Sequence, residues 1–412
     1  MMRVLVVTHY FPPEIGAPQA RLSDLARFWA LDGDDVTVLT GMPNHPTGVI
    51  PKEYRGKRRL VERVDGHRVV RTWVYATPNE GIVKKTLGHL SFMASGVLLG
   101  ARRTGPADIV VVSSPTFFSI FSAWLLTKTK RARLVVEVRD LWPAIFVELG
   151  VLTNKPVIWL LERLELWAYR TADDVVVVSA GFRDDLIRRG IDPAKVHTIR
   201  NGVDLDRFTP AGDPLPGREA LGVEEGTSLV LYIGAHGISH GLESVAEAAA
   251  LLRDRPIHFA FVGEGAAKAE LQARVDELAL TNVSLHGGVA RDAVAGLLAA
   301  ADICLVPLRD VPLFSTFIPS KIFEFFGTGK AVVGAVRGEP AEILREGGAL
   351  VVNPGDPRAL AAAISDLAED PERRSAMGEQ GRRHVEAHFD RRELASRYRS
   401  LLLAAVDRKG RR

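Results

Sequence analysis

A chain of 412 residues with 47% hydrophobic and 25% charged side chains is long enough for two domains of roughly 200 residues, each burying its own core. A formal charge of +3 and a pI of about 9.0 are too mild to indicate nucleic-acid binding, and the single cysteine, Cys304, excludes an internal disulfide. No run of ~18 uncharged apolar residues is present, which argues against a spanning helix. The chain starts on an apolar strand, so a cytoplasmic location is expected.

Residues 3–7 read as a strand, 21–31 as an amphipathic helix and 35–39 as the next parallel strand, a right-handed unit. After loop-rich residues 44–56, a less regular strand pair is expected around 62–74. Alternation then resumes with a helix over 82–103, a strand at 109–113, a helix over 117–126 and a strand at 134–138. An amphipathic element over 156–170 carries Trp159 and Trp167, both expected to pack on the first sheet. Strands at 175–179 and 196–199 flank a short helix, and 209–217, TPAGDPLPG, has linker composition.

The second half begins again with strands at 229–233, 257–262, 283–286, 303–306, 331–334 and 349–352, alternating with helical patterns. Helices over 357–368, 371–388 and 391–406 close the chain, and 409–412 are expected to fray. The class is α/β, with two open parallel sheets covered by helices on both faces. The implied domains are 1–202, 203–389 and a terminal segment 390–412.

Strand ends are where ligands enter such folds. Gly16 lies in the loop after the first strand, ahead of a helix whose free N–H groups suit an anion; a plain tight turn is the other reading. Gly234, Gly237 and Gly241 punctuate YIGAHGISHGLESV between a strand and a helix, a pattern that lets backbone approach a diphosphate, with His236 and His240 as further donors. Neither loop carries a three-glycine dinucleotide fingerprint or a Lys-Ser phosphate loop, which disfavours nicotinamide, flavin and ATP hydrolysis. In VEVRDLWP, Arg139 and Asp140 end an apolar strand; they either reach a ligand's phosphate and hydroxyls or fasten a loop to each other. Glu324, in IPSKIFEFFGTG, stands on a short helix, where a merely solvated face is the bland alternative.

Histidines are scattered without paired spacing for zinc, and no metal site is expected. Segment 82–103 places Leu90 and Phe92 between cations at Lys84, Lys85, Arg102 and Arg103, the pattern of a helix lying in an anionic membrane surface; a core helix under the sheet fits equally well.

HYFPPEIGAPQARLSDLARFWALDGDDVTVLTG, IRNGVDLDRFTP, FVGEG, PSKIFEFFGTGKAVV and VNPGDPRAL together resemble the retaining glycosyltransferases of family four. The nearest branch is similar to the amino-sugar transferases of capsule, O-antigen and colanic-acid-like assembly. The resemblance implies the GT-B architecture: two Rossmann-like domains facing across a cleft, amino-terminal for acceptor and carboxy-terminal for nucleotide sugar, with the last helix returning to the first domain. It implies a UDP-sugar donor without cofactor and a polyprenyl-diphosphate-linked saccharide as acceptor. The location it implies is the inner membrane surface, approached from the cytoplasm.

By the same resemblance Gly16 lies below the donor diphosphate and Glu324 binds the donor ribose. Arg309 and Lys321 line the donor site, and Arg139 occupies the place of a histidine in many relatives, next to Asp140. The family's first glutamate falls at Thr316, and its phosphate-binding Arg and Lys fall at Ala235 and His240, so His240 and Lys321 are expected to replace part of that charge. A non-hydrolysing UDP-sugar epimerase and a non-catalytic sugar-nucleotide binder are the alternatives.

Overall fold

A computed structural model describes residues 1–45, 47–77, 81–114 and 118–410, except for the side chains of residues 81–83, 85 and 409–410. The chain divides into two compact units, residues 1–200 with 392–412, and residues 201–391.

The amino-terminal unit holds an eight-stranded sheet of β1 (Arg3–Val7), β2 (Asp35–Gly41), β3 (Arg59–Val64), β4 (His67–Thr72), β5 (Ile109–Ser113), β6 (Arg133–Val138), β7 (Asp174–Val177) and β8 (Val196–Thr198), in the order β3-β4-β2-β1-β5-β6-β7-β8. Every pair is parallel except the β3–β4 hairpin. Runs such as Val4–Val7 of β1 and Ile109–Val112 of β5 are apolar at every position because helices cover both faces, so these strands leave no face for solvent. Val7 pairs with both Leu39 and Val112, and Ser113 pairs with Glu137. The loops after β1, β2, β5 and β6 therefore leave the sheet along one edge. The strand order reverses between β1 and β5, the position where an open parallel sheet parts its loops into a crevice.

The carboxy-terminal unit holds six parallel strands, β9 (Ser228–Ile233), β10 (Ile257–Val262), β11 (Val283–His286), β12 (Ile303–Pro307), β13 (Ala331–Ala335) and β14 (Leu350–Val352), in the order β11-β10-β9-β12-β13-β14. Its reversal falls between β9 and β12, so the loops beginning at Gly234 and Leu308 flank that crevice. Cys304 is buried in β12, and burial pushes its thiol up to about 12, as suits an inert packing residue.

Three expectations are corrected. Trp159 does not pack on the sheet: it is 58% exposed, with the Arg163 guanidinium 5.2 Å from its ring centre, while Trp167 stacks on Phe121. Phe92 is fully buried and Leu90 half-buried, so the helix Gly81–Ser95 turns those side chains inward; Leu98 is its neighbour's exposed apolar group, at 81%. The linker-like stretch contains a helix, Leu215–Ala220, too short to show a 3.6-residue period in sequence.

The terminal helix Arg391–Gly410 belongs to the amino-terminal unit from residue 392. Its stripe of Leu394, Ala395, Tyr398, Leu402 and Ala405 is buried; Trp29 donates its indole N–H to the Ala395 carbonyl at 3.0 Å and meets the Tyr398 ring edge-on at 5.3 Å. Arg399 closes on Asp34 at 2.6 Å. The frayed tail expected at 409–412 falls largely outside the described residues: the helix runs to Gly410, and residues 411–412 are not described. Trp29→Ala is expected to lose about 3–5 kcal/mol of stability, because it empties a fully buried indole site and orphans a carbonyl. Denaturant titration of the variant checks this.

Candidate active site

In the carboxy-terminal unit, sequence-distant residues converge on the turn after β9. Gly234 has φ 137° and Gly241 φ 57°, conformations that L side chains rarely adopt, and a Cβ on Gly234 would stand 3.0 Å from Lys321 Nζ. The FVGEG motif explains itself here. A Cβ on Gly263 would run into the Gly234 carbonyl oxygen, and one on Gly265 into the His236 backbone. Two glycine-bearing loops thus meet backbone to backbone, joined by His236 N–H to the Glu264 carbonyl at 2.9 Å and Ala267 N–H to the His236 carbonyl at 2.8 Å.

Lys321 opens the helix Lys321–Gly327 and is 9% exposed. Its Nζ lies 3.7 Å from the centre of the Tyr232 ring, and among the described residues nothing accepts a hydrogen bond from it. Burial lowers its pKa to about 7, with Glu324 favouring the charged form. Glu324 is half-buried, one turn further along the same helix. That helix is seated by Val203 and Phe208, which would crowd a Cβ at Gly327 at 3.0 and 3.2 Å, and by Arg382, which donates to the Phe208 and Gly327 carbonyls at 2.7 Å each. The IRNGVDLDRF and PSKIFEFFG motifs are therefore two sides of one contact.

The histidines correct an expectation. Burial, assisted by Lys321, drives His240 to about 3, and burial assisted by Lys268 and Lys321 drives His236 to about 4. Both are neutral at physiological pH, so His240 does not add the positive charge expected of it at this turn. His236 is wholly buried beneath the turn, packed near Tyr232 and Phe261.

Gly237 has an ordinary φ of −88° and precedes the short turn Ile238–His240. Arg309 sits beside that turn, its N–H bonded to the Ser239 carbonyl at 2.9 Å, and its guanidinium is engaged by Glu243 at 2.8 Å. A cleft of about 300 Å³ opens next to it, lined by Arg309, Asp310, Val311, Phe314, Ser315 and Arg337. Thr316 bonds back to the Leu313 carbonyl at 2.9 Å, and Ala235 is exposed.

The amino-terminal unit holds the other candidates. Gly16 caps the helix Ala17–Leu31, and any side chain there would collide with Gln19. Arg139 donates to Ser113 Oγ at 2.7 Å and to the Ser114 carbonyl at 2.9 Å. Behind it lies a residue the sequence did not single out: Glu137, fully buried, takes Arg21 at 3.0 Å, Ser113 Oγ at 3.0 Å and Arg139 at 3.6 Å. A carboxylate inside an apolar strand, VVEV, was the available signal. Burial raises the Asp140 carboxyl pKa, opposed by Arg139. Lys84, Arg102 and Arg103 are exposed; the side chain of Lys85 lies outside the described residues. Among the described residues no cluster of three metal-ligating side chains occurs, and no helix is long and apolar enough to cross a membrane.

An ammonium held near pKa 7 in the folded chain and near 10.5 in the unfolded one leaves the unfolded chain with the extra proton between those values, so stability rises with pH across that window. Lys321→Met is expected to be the more stable protein at pH 7, by a margin that shrinks by on the order of 2 kcal/mol by pH 9. Denaturant titrations of both proteins at the two pH values measure that margin, and a gap independent of pH contradicts it.

Comparison with known proteins finds relatives in sequence and in fold. Residues 16–202 match the family model described as "Glycosyl transferase 4-like domain" and residues 227–370 the one described as "Glycosyl transferases group 1". The putative colanic acid biosynthesis glycosyl transferase WcaI of Escherichia coli K12 is 28% identical over 374 residues, covering 88% of this chain and 91% of that protein. Sucrose-phosphate synthase of Thermosynechococcus elongatus superposes with a TM-score of 0.74 at 20% identity, over 98% of this chain and 100% of that one. Anabaena Alr3699/HepE, solved in complex with UDP-glucose, gives 0.72 at 18% identity with coverage of 98% and 100%. The chain is a glycosyltransferase of GT-B fold, related to the family-four-like enzymes of colanic acid biosynthesis.

Proposed function

We propose that the protein moves a sugar, an N-acetylated amino sugar, with retention of configuration from a UDP-sugar to a polyprenyl-diphosphate-linked acceptor in bacterial surface polysaccharide synthesis. The observation that carries this reading is Lys321: a buried ammonium over an aromatic ring, at a glycine turn, with no acceptor among the described residues. Such a group is costly until an anion joins it, and a diphosphate approaching the Gly234 turn supplies one. The colanic acid relative and the UDP-glucose complex of HepE support the pathway class and the donor.

In this reading the carboxy-terminal unit holds the donor. Lys321 and the N–H groups around Gly237 and His240 take the diphosphate, and Glu324 accepts from the ribose hydroxyls. Arg309, tied to Glu243, shapes the turn more than it adds charge. The amino-terminal unit holds the acceptor, with Asp140 positioning a hydroxyl and Arg139, fixed by Ser113 and Ser114, supplying a permanent positive field. The acceptor oxygen bonds to the anomeric carbon on the face from which the phosphate leaves, and its proton passes to the departing phosphate oxygen. Retention then needs no carboxylate nucleophile. Charge that grows on the leaving diphosphate meets Lys321. The exposed Lys84, Arg102 and Arg103, with Leu87 and Leu98, would face an inner-membrane surface.

Purified protein given a panel of UDP-sugars and a short polyprenyl-diphosphate-linked monosaccharide is expected to release UDP and lengthen the acceptor, with the donor's anomeric configuration kept in the product by NMR. Conversion of the donor without acceptor indicates an epimerase instead, and tight donor binding with neither reaction a binding protein. Glu324→Gln is expected to lower kcat/KM by at least about tenfold, since a charged acceptor of hydroxyl bonds is lost. Unchanged kinetics in that variant would remove the ribose role.

A further inference from the structure

Four rings from three distant parts of the sequence meet at the carboxyl edge of the amino-terminal sheet. His9 and Tyr10 follow β1, His45 lies in the loop after β2, and His89 is on the helix Gly81–Ser95. The His9 ring lies 4.3 Å from Tyr10 and 4.7 Å from His89, and Tyr10 lies 5.1 Å from His45 and 6.1 Å from His89. The place is the loop at the β1/β5 reversal, where this sheet parts into a crevice. We propose that these four rings form a binding site for the neutral saccharide of the acceptor, an assignment that rests on the transferase reading above.

Exposure grades from floor to rim. His9 is 2% exposed, Tyr10 and His89 are half-buried, and His45 is exposed. A ring cluster that served only as core would be covered throughout; this one opens outward. At its floor, His9 Nδ1 has no hydrogen-bond partner among the described residues, an unmet need that a ligand hydroxyl answers.

The rings are also held in place before any ligand arrives. The Glu14 carboxylate accepts from the N–H groups of Phe11 at 3.0 Å, Asn44 at 2.8 Å and His45 at 2.8 Å, so one buried side chain ties the loop bearing Tyr10 to the loop bearing His45. Thr40 Oγ1 donates to the His9 carbonyl and Thr8 Oγ1 to the Tyr10 carbonyl, each at 3.1 Å. Preset loops of this kind lower the ordering cost of recognition.

The chemistry selects hydroxyls over phosphate. Burial holds His9 well below its ordinary range, with His89 and His45 adding to the effect, and burial holds the Tyr10 phenol protonated. Neutral imidazole and phenol groups donate and accept with sugar hydroxyls, and their faces cover sugar C–H groups. A diphosphate would need cations. The cation whose field reaches Glu14, Arg71, is 1% exposed and engaged by Glu62 and the Pro12 carbonyl. The saccharide, not the lipid diphosphate, is therefore the part recognised here.

The test is steady-state kinetics of the full chain with a UDP-sugar and a polyprenyl-diphosphate-linked monosaccharide, for wild type, His45→Ala and Tyr10→Phe/His45→Ala. His45 is at the surface and Tyr10→Phe keeps its ring, and melting curves check that both variants fold. The double variant is expected to raise the acceptor KM by about tenfold with the donor KM within about twofold, the effect of losing two polar contacts to one ligand. A panel of methyl hexosides and N-acetylhexosaminides is expected to compete with the acceptor, and inorganic pyrophosphate with the donor. An acceptor KM within about twofold of wild type in a folded double variant, or competition against the acceptor by pyrophosphate and not by glycosides, overturns the assignment. If no donor supports transfer, saturation-transfer NMR with the glycoside panel still decides. Contacts present in wild type and absent in the double variant uphold the site while the transferase reading falls; equal contacts in both sink the site.

Discussion

The carboxy-terminal unit is organised around a buried amine, that of Lys321, which no described residue engages by hydrogen bonding. Lys321 lies over Tyr232, against a turn whose glycine leaves it space, with two imidazoles nearby that burial keeps neutral. Removing a charge from water without a partner works against folding, so the packing around it has to supply the difference. That packing comes from a short helix with six buried residues, seated on Val203, Phe208 and Arg382. Because Lys321 and Glu324 share this helix, any shift that moves one moves the other. The two charged groups of this helix are thereby held in a fixed relation to each other.

The glycine-rich turn was visible in the sequence as a phosphate-like signal, yet its geometry rests on contacts that spacing does not reveal. Gly263 and Gly265 are small because Gly234 and His236 lie against them, a requirement of one loop recorded in the letters of another. Strand periods and the alternation with helices were legible for a direct reason: continuous apolar runs are what a sheet covered on both faces demands. What periodicity could not convey was charge state. His240 reads as a candidate cation in the sequence and is neutral once buried next to Lys321.

The amino-terminal unit shows the same division between what a sequence displays and what folding assembles. His9, His45 and His89 have no common spacing, since the three come from a strand end, a loop and a helix; the parallel register of β1 and β2 and the packing of the helix Gly81–Ser95 bring them to one edge. Leu90 and Phe92 illustrate the converse. They lie between cations at a helical period, a pattern shared by membrane-surface helices and by helices under a sheet, and only the sheet's position decides between them. Phe92 sits against His9 at 5.0 Å, on the covered side.

Glu137 shows how the departures from the family pattern fit together. A carboxylate buried in the middle of a parallel sheet needs compensation, and it receives two guanidiniums, Arg21 and Arg139, with Ser113 between them. Arg139 is consequently fixed in position and charge, and a guanidinium does not take up a further proton. This chain therefore holds a standing positive charge beside Asp140. Burial raises the Asp140 carboxyl while Arg139 opposes the rise, so the guanidinium that Ser113 and Ser114 hold in place sets the charge environment of Asp140 at the strand end.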